Sequence, residues 1–125
     1  MKFQPDTLDG VNTITRHESG RLWVGNTPFD RSVLVPWVGE VLPWEPRAFE
    51  QLGAAAFEAI LALQPELVIF GSGKRMRFAP PACLRALIER RIGVETMDTA
   101  AACRTYNVLV GERRSVVAAL LLEAP

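Results

Sequence analysis

Leu67-Val68-Ile69-Phe70, Gly93-Val94-Glu95-Thr96-Met97 and Val116-Val117-Ala118-Ala119-Leu120-Leu121-Leu122 are the segments on which the fold turns. A strand with one wet face alternates apolar and polar residues, whereas one covered on both faces reads as a continuous apolar run. The first and last segments are of the second kind. Helical patterns lie between and before them. Pro46 suits the first turn of a helix in which Phe49, Leu52, Ala56, Ile60 and Leu63 recur at steps of three and four, and Pro65 ends it. Pro80-Pro81 opens a second, with Leu84, Leu87 and Ile88 inward and Arg85, Glu89 and Arg90 outward. Asp98 or Thr99 caps a third, from Ala100 to Leu109, which Gly111 ends before a turn at Arg113-Arg114. Strands alternating with helices build an α/β fold with a mostly parallel sheet and helices on both faces.

The first third reads differently. Val11 to His17 and Arg21 to Val24 flank Glu18-Ser19-Gly20, which predicts a hairpin that extends the sheet or packs on one edge. Gly25-Asn26-Thr27-Pro28 predicts a turn, and Ser32-Val33-Leu34-Val35 a short strand stopped by Pro36. Residues 36–46, with their prolines and two tryptophans, read as a connection holding at most a short strand. The expected organisation is one domain over residues 1–125, with a β-rich accessory part over 1–45 and an α/β core over 46–125. There are no internal repeats and no low-complexity segment.

The bulk properties exclude several classes. A chain of 125 residues has the size of one ordinary domain, and 49% hydrophobic residues argue against disorder. Fourteen basic and fourteen acidic residues cancel, so no overall field favours nucleic acid or an anionic membrane. Cys83 and Cys103 are too few for a disulfide framework, have no metal-ligand spacing and fall in helical patterns. Met1 to Asp6 lack the apolar core of a secretory signal, and no apolar run is long enough to span a bilayer. The expectation is a soluble, cytoplasmic protein without metal, cofactor or membrane insertion.

The candidate site is the loop after the first buried strand: Gly71, Ser72, Gly73, Lys74, Arg75 and Arg77, joined by Asp98 and Thr99 from the end of the next strand. Open α/β sheets bind ligands beyond the carboxyl ends of their strands, and glycines there let backbone N–H groups approach an anion. If these two strands are neighbours, Asp98 would face this loop and could pair with Lys74 or Arg75, but the favoured role of Asp98 or Thr99 is to cap the third helix. The known phosphate motifs fail, however. A P-loop needs glycine at Val68 and Ser or Thr at Arg75; a dinucleotide fingerprint needs glycine at Met76. Ser72 lacks the outer glycines of a nucleophile elbow, and the one histidine, His17, is remote in sequence. The residues favour a tight turn with a solvated basic loop over a binding site. Cys103, Tyr106 and Asn107 share one helix, where packing is the favoured role. Trp23, Trp37 and Trp44 form either core or a partner-binding patch.

The segments 65–73 and 92–109, above all Met97-Asp98-Thr99-Ala100-Ala101-Ala102-Cys103-Arg104-Thr105-Tyr106-Asn107-Val108-Leu109, resemble a family of small α/β proteins. Its mitochondrial branch includes the third assembly factor of respiratory complex I, the NADH:ubiquinone oxidoreductase. The resemblance implies a three-layer α/β arrangement with a central sheet of about four strands and an accessory β element. It supplies no catalytic residue. Members usually carry glycine where Arg91 stands, so Arg91 is expected in a left-handed conformation, and Gly-Thr-Gly where Gly71-Ser72-Gly73 stands. The function expected is a non-enzymatic binding or assembly module with a protein partner, assisting a membrane-associated complex such as complex I. The alternative is a small-anion-binding protein or an unrecognised enzyme sited at residues 71–77 and Asp98. Nucleic-acid binding through the basic loop ranks third.

Overall fold

The apolar runs lie side by side in the middle of a sheet, where no position meets water. In the computed structural model, which describes residues 10–123, strands β4 (Val33–Pro36), β5 (Leu42–Pro43), β6 (Leu67–Gly71), β7 (Gly93–Met97) and β8 (Val116–Leu120) form one sheet. Its order is β5-β4-β8-β6-β7. Met1 to Asp6, read above for a leader, lie outside the described residues.

Alternate side chains of the central strands enter two separate cores. Val33, Val35, Leu67, Ile69, Val116, Ala118 and Leu120 join one; Leu34, Val68, Phe70, Val117 and Ala119 join the other. The first core is closed by helix α3 (Thr99–Gly111) through Ala102, Cys103, Tyr106 and Val110. The second is closed by Phe57 of α1 (Ala54–Glu58), by Ile60, by Leu87 of α2 (Arg85–Glu89) and by Trp44.

Several expectations need correction. The sheet is mixed rather than mostly parallel, and it has five strands: β8-β6 and β6-β7 run parallel, β4-β8 and β4-β5 antiparallel. Val33 to Pro36 is buried at every position because β4 lies inside this sheet, so the division expected near residue 45 is not a division between sheets. The predicted hairpin is a three-stranded antiparallel sheet, β1 (Ile14–Glu18), β2 (Arg21–Val24) and β3 (Thr27–Phe29). The turn into β3 needs only Gly25 and Asn26, and Pro28 is tolerated because β3 is an edge strand. This small sheet is separate from the large one, and the chain leading into it joins the end of β4 through a Val11–Val38 bridge and Asn12 N–H to Trp37 O at 2.9 Å. Ile14, Leu22 and Val24 enter the first core beside α3.

The helices are shorter than their patterns suggested. The first breaks into a 3-10 turn (Phe49–Gln51), α1 and a second 3-10 segment (Ala59–Leu63), because Gly53 is extended. A 3-10 turn, Pro81–Leu84, precedes α2, and Ile88 points to solvent at 60% exposure while Leu87 is buried.

Arg91 has φ of +59°, as the resemblance implied. Arg91 N–H donates to the Ile88 carbonyl and Ile92 N–H to that of Leu87, the paired bonds of a left-handed helix stop. Arg113, φ +60°, ends α3 in the same way: Arg113 N–H donates to the Val110 carbonyl and Arg114 N–H to that of Leu109. Gly111 was expected to stop α3 but is its last helical residue. A non-glycine side chain in this conformation costs about 1 kcal/mol, which glycine relieves against a similar loss of unfolded-chain entropy. Arg91→Gly therefore leaves the melting temperature unchanged or raises it by up to about 4 °C. A fall of several degrees in a calorimetric scan would contradict the strain at this stop.

Candidate functional site

The carboxyl ends of the three parallel strands finish level with one another: Gly71 pairs with Met97 on one side and Leu120 on the other. The segments that leave them are therefore forced together, and they knit into a rim. Leu121 N–H donates to Gly71 O at 3.0 Å, Ser72 N–H to Met97 O at 2.9 Å, and Thr99 N–H to Gly73 O at 2.9 Å. Thr99, 3% exposed, completes the rim with its side chain, whose Oγ1 accepts from Gly73 N–H at 2.9 Å and donates to Leu121 O at 2.8 Å. Gly71 is needed for this approach, since a Cβ there would sit 3.0 Å from Thr99 Cα, Thr99 Oγ1 and Leu120 Cδ2. Gly73 has φ of +101°, and a Cβ there would collide with the Glu123 carboxylate.

Every predicted site residue lies on or beside this rim, but the pairings differ from those expected. Ser72 is buried; its hydroxyl donates to Arg75 O at 2.8 Å and accepts from Arg77 N–H at 2.9 Å. That closes the loop on itself and leaves the hydroxyl committed. Asp98 Oδ1 accepts from Ala101 N–H at 2.9 Å, the helix-cap role. Among the described residues Asp98 forms no ion pair with Lys74 or Arg75. The carboxylate that meets the loop is Glu123, which accepts from Arg77 Nη2 at 2.9 Å and from Lys74 N–H at 3.2 Å. Although its partial burial opposes ionisation, the Arg77 guanidinium and these donors hold the Glu123 carboxyl below its ordinary range. Arg77 also donates to Ser72 O at 3.0 Å and lies over the Phe49 ring, 4.5 Å from its centroid.

His17 is the residue that sequence spacing missed. It is carried to the rim because the small β-sheet lies against α3, and it lines a cleft of about 240 Å³ with Gly73, Lys74, Asp98, Thr99 and Glu123. Burial holds its imidazole below the ordinary value, outweighing the pull of Asp98 upward. No sequence signal ties residue 17 to residue 98; only the packing of the two layers does.

A family described as proteins of unknown function matches residues 14–121, from the first strand of the small sheet to the rim. The chain belongs to the DUF498/DUF598 family. Ninety-nine residues are 35% identical to NADH dehydrogenase (ubiquinone) 1 alpha subcomplex assembly factor 3 of Bos taurus, covering 78% of this chain and 53% of that protein. The chain thus spans about half the length of the assembly factors it matches. It is also similar to the 13 kDa major membrane protein of Francisella tularensis, 31% identical over 93% of this chain and 95% of that one. A crystal structure from Bordetella parapertussis shares the fold with a TM-score of 0.87 and 33% identity, over 94% of this chain and 100% of that one. No helix among the described residues is long and apolar enough to cross a membrane.

Within this DUF498/DUF598 chain the helix that carries the resemblance acts as a clamp. Asn107 Oδ1 accepts from Ile14 N–H at 2.9 Å and its Nδ2 donates to Ile14 O at 2.7 Å. Tyr106 Oη lies 2.8 Å from Asn12 O and 3.1 Å from Pro36 O, tying the small sheet to the large one. Cys103 is buried beside them, and burial pushes its thiol up to about 12, the opposite of a nucleophile's setting. The tryptophans form no common patch. Trp44 is core, Trp37 packs against the other core, and Trp23 lies half-buried under Arg16, whose guanidinium is 4.8 Å from the ring centroid.

Proposed function

We propose that this chain is a non-enzymatic binding module that assists assembly of a membrane-associated protein complex, respiratory complex I or one built like it. The observation that carries the reading is its likeness to the bovine assembly factor over 78% of its own length. The state of the rim supports it. The Ser72 hydroxyl, the Thr99 hydroxyl, the Asp98 carboxylate and the Arg77 guanidinium hold the protein's own backbone and side chains, an arrangement suited to a rigid platform. The N–H groups of Gly73 and Lys74, which an anion would use, already donate to Thr99 and Glu123.

The test is co-purification. A tagged chain isolated from its source cell at low salt is expected to bring down subunits of the complex, and its deletion to lower the amount of assembled complex on native gels. Elution alone at every salt concentration, with assembly unchanged, would overturn the reading. Millimolar inorganic phosphate is expected to leave the melting temperature within about 1 °C, since its donors are engaged. A larger rise, abolished by Lys74→Ala, would restore the anion site.

A further inference from the structure

The loop that follows β6 reverses the usual order of inside and outside. Its polar side chains face inward: Ser72 is fully buried and the Arg77 side chain is only 21% exposed. Its large apolar side chains face outward: Met76 is 50% exposed and Phe78 71%. Scattered apolar residues on a surface are ordinary, but an aromatic and a methionine two positions apart, beside buried polar groups, are not.

The loop is also braced. Ser72 Oγ bridges Arg75 O and Arg77 N–H across its neck, and Arg77 is fastened by Glu123, by Ser72 O and by the Phe49 ring. A partner therefore meets Met76 and Phe78 already ordered, without the entropy cost of fixing a mobile loop. Charge completes the pattern. The Arg77 charge is matched by Glu123, whereas Lys74 and Arg75 are exposed and enter none of the ion pairs among the described residues. In a chain of zero net charge this places two cations next to two apolar side chains. Aromatic, methionine and arginine side chains are the types enriched where proteins meet.

We propose that Lys74, Arg75, Met76 and Phe78 form a docking surface for an acidic protein partner: an apolar pocket that receives Phe78, ringed by carboxylates that face Lys74 and Arg75. This rests on the binding-module reading above and names the surface and the chemistry of its partner. An anionic bilayer offers the same charge, but lipid-binding segments gather four to eight cations. Two, on a rigid loop, match a protein surface.

The experiment places photoreactive benzoylphenylalanine at position 78 in the full chain in its source cell. Ile88 on α2 and Val108 on α3, exposed at 60% and 61%, are the comparison positions. Position 78 is expected to crosslink to one protein, within a segment that combines apolar residues with Asp or Glu. The double variant Lys74→Glu/Arg75→Glu is expected to lower the yield about tenfold without changing the melting temperature. Exchanging the partner's carboxylates for lysine is expected to restore it. Crosslinks to lipid, to a second copy of this chain or to a segment without carboxylates would overturn the proposal, as would a yield indifferent to charge. Crosslinks at 88 or 108 but not 78 would reject this surface while the binding module stands. No crosslink anywhere, from a chain that purifies alone, would reject both.

Discussion

Trp44→Ala is expected to lower stability by about 3–5 kcal/mol, and the melting temperature by more than 10 °C. Trp44 is 2% exposed, at the heart of the second core. Its ring meets Phe57 edge-on with centroids 5.7 Å apart and Phe70 at 6.1 Å, while Phe57 and Phe70 meet each other at 5.4 Å. Each edge-to-face contact contributes about 0.5–1.5 kcal/mol beyond the area it buries. Its Nε1–H also donates to Ala56 O at 2.9 Å, which fixes the connection carrying Trp44 against α1. Alanine removes both Trp44 ring contacts and the hydrogen bond and leaves a void beside the Phe57–Phe70 pair. A domain stable by about 5–15 kcal/mol would lose a large part of that margin. Trp44→Phe keeps an aromatic ring but forfeits the N–H, so about 1–2 kcal/mol is expected. Denaturant melts check both; a loss under about 1 kcal/mol for the alanine variant would show that the aromatic trio is not the centre of this core.

Thr99→Val is expected to cost about 2–4 kcal/mol, although valine has nearly the same shape. The Thr99 hydroxyl joins Gly73 N–H and Leu121 O in a buried position, so valine leaves both without a partner and without water. Each orphaned group costs about 1–3 kcal/mol. The backbone bond from Thr99 N–H to Gly73 O survives the change, which isolates the hydroxyl's share. Thr99→Ser, which keeps the oxygen and loses a methyl, is expected to retain most of the stability. Equal melting temperatures for the wild type and the valine variant would refute the rim as a hydrogen-bonded unit. The same variant also probes function, because loosening Gly73 frees the loop that presents Met76 and Phe78.

Much of this architecture is legible in the residues. The apolar runs at 67–70 and 116–122 required cover on both faces, and both supply strands in the middle of the sheet. The helix starting at Asp98-Thr99 could be read from its cap, and the left-handed Arg91 from the glycine that its resemblance led one to expect. What misled were features whose signal is shared by two outcomes. The spacing of Phe49, Leu52, Ala56 and Ile60 fits one long helix, but the extended Gly53 breaks it while the same side chains still pack inward. Ile88 and Leu87 are adjacent, and one-residue differences in phase decide which is buried.

Asp98 takes the helix-cap role that its sequence position favoured, and the carboxylate that meets the loop is one the sequence did not single out. Asp98 is near in strand order, and Glu123 is 46 residues from Arg77, yet the second forms the ion pair. Strand topology explains this: β8 lies against β6, so the segment after Leu120 returns beside the Gly71 turn. His17 reached the same rim because the small sheet packs on α3.

By itself the sequence determined where the buried strands and the third helix lie, which of their faces are apolar, and that two strand ends carry glycine, hydroxyl and charge. These follow from local sterics and periodicity, which each residue carries wherever the chain goes. The tertiary structure alone decided that Glu123 and not Asp98 meets Arg77, that His17 joins the cleft, that Trp44 is core, and that Arg77 turns in while Phe78 turns out. Those outcomes depend on strand order, register and the stacking of layers, and so on contacts between residues whose separation along the chain bears no relation to their distance in space.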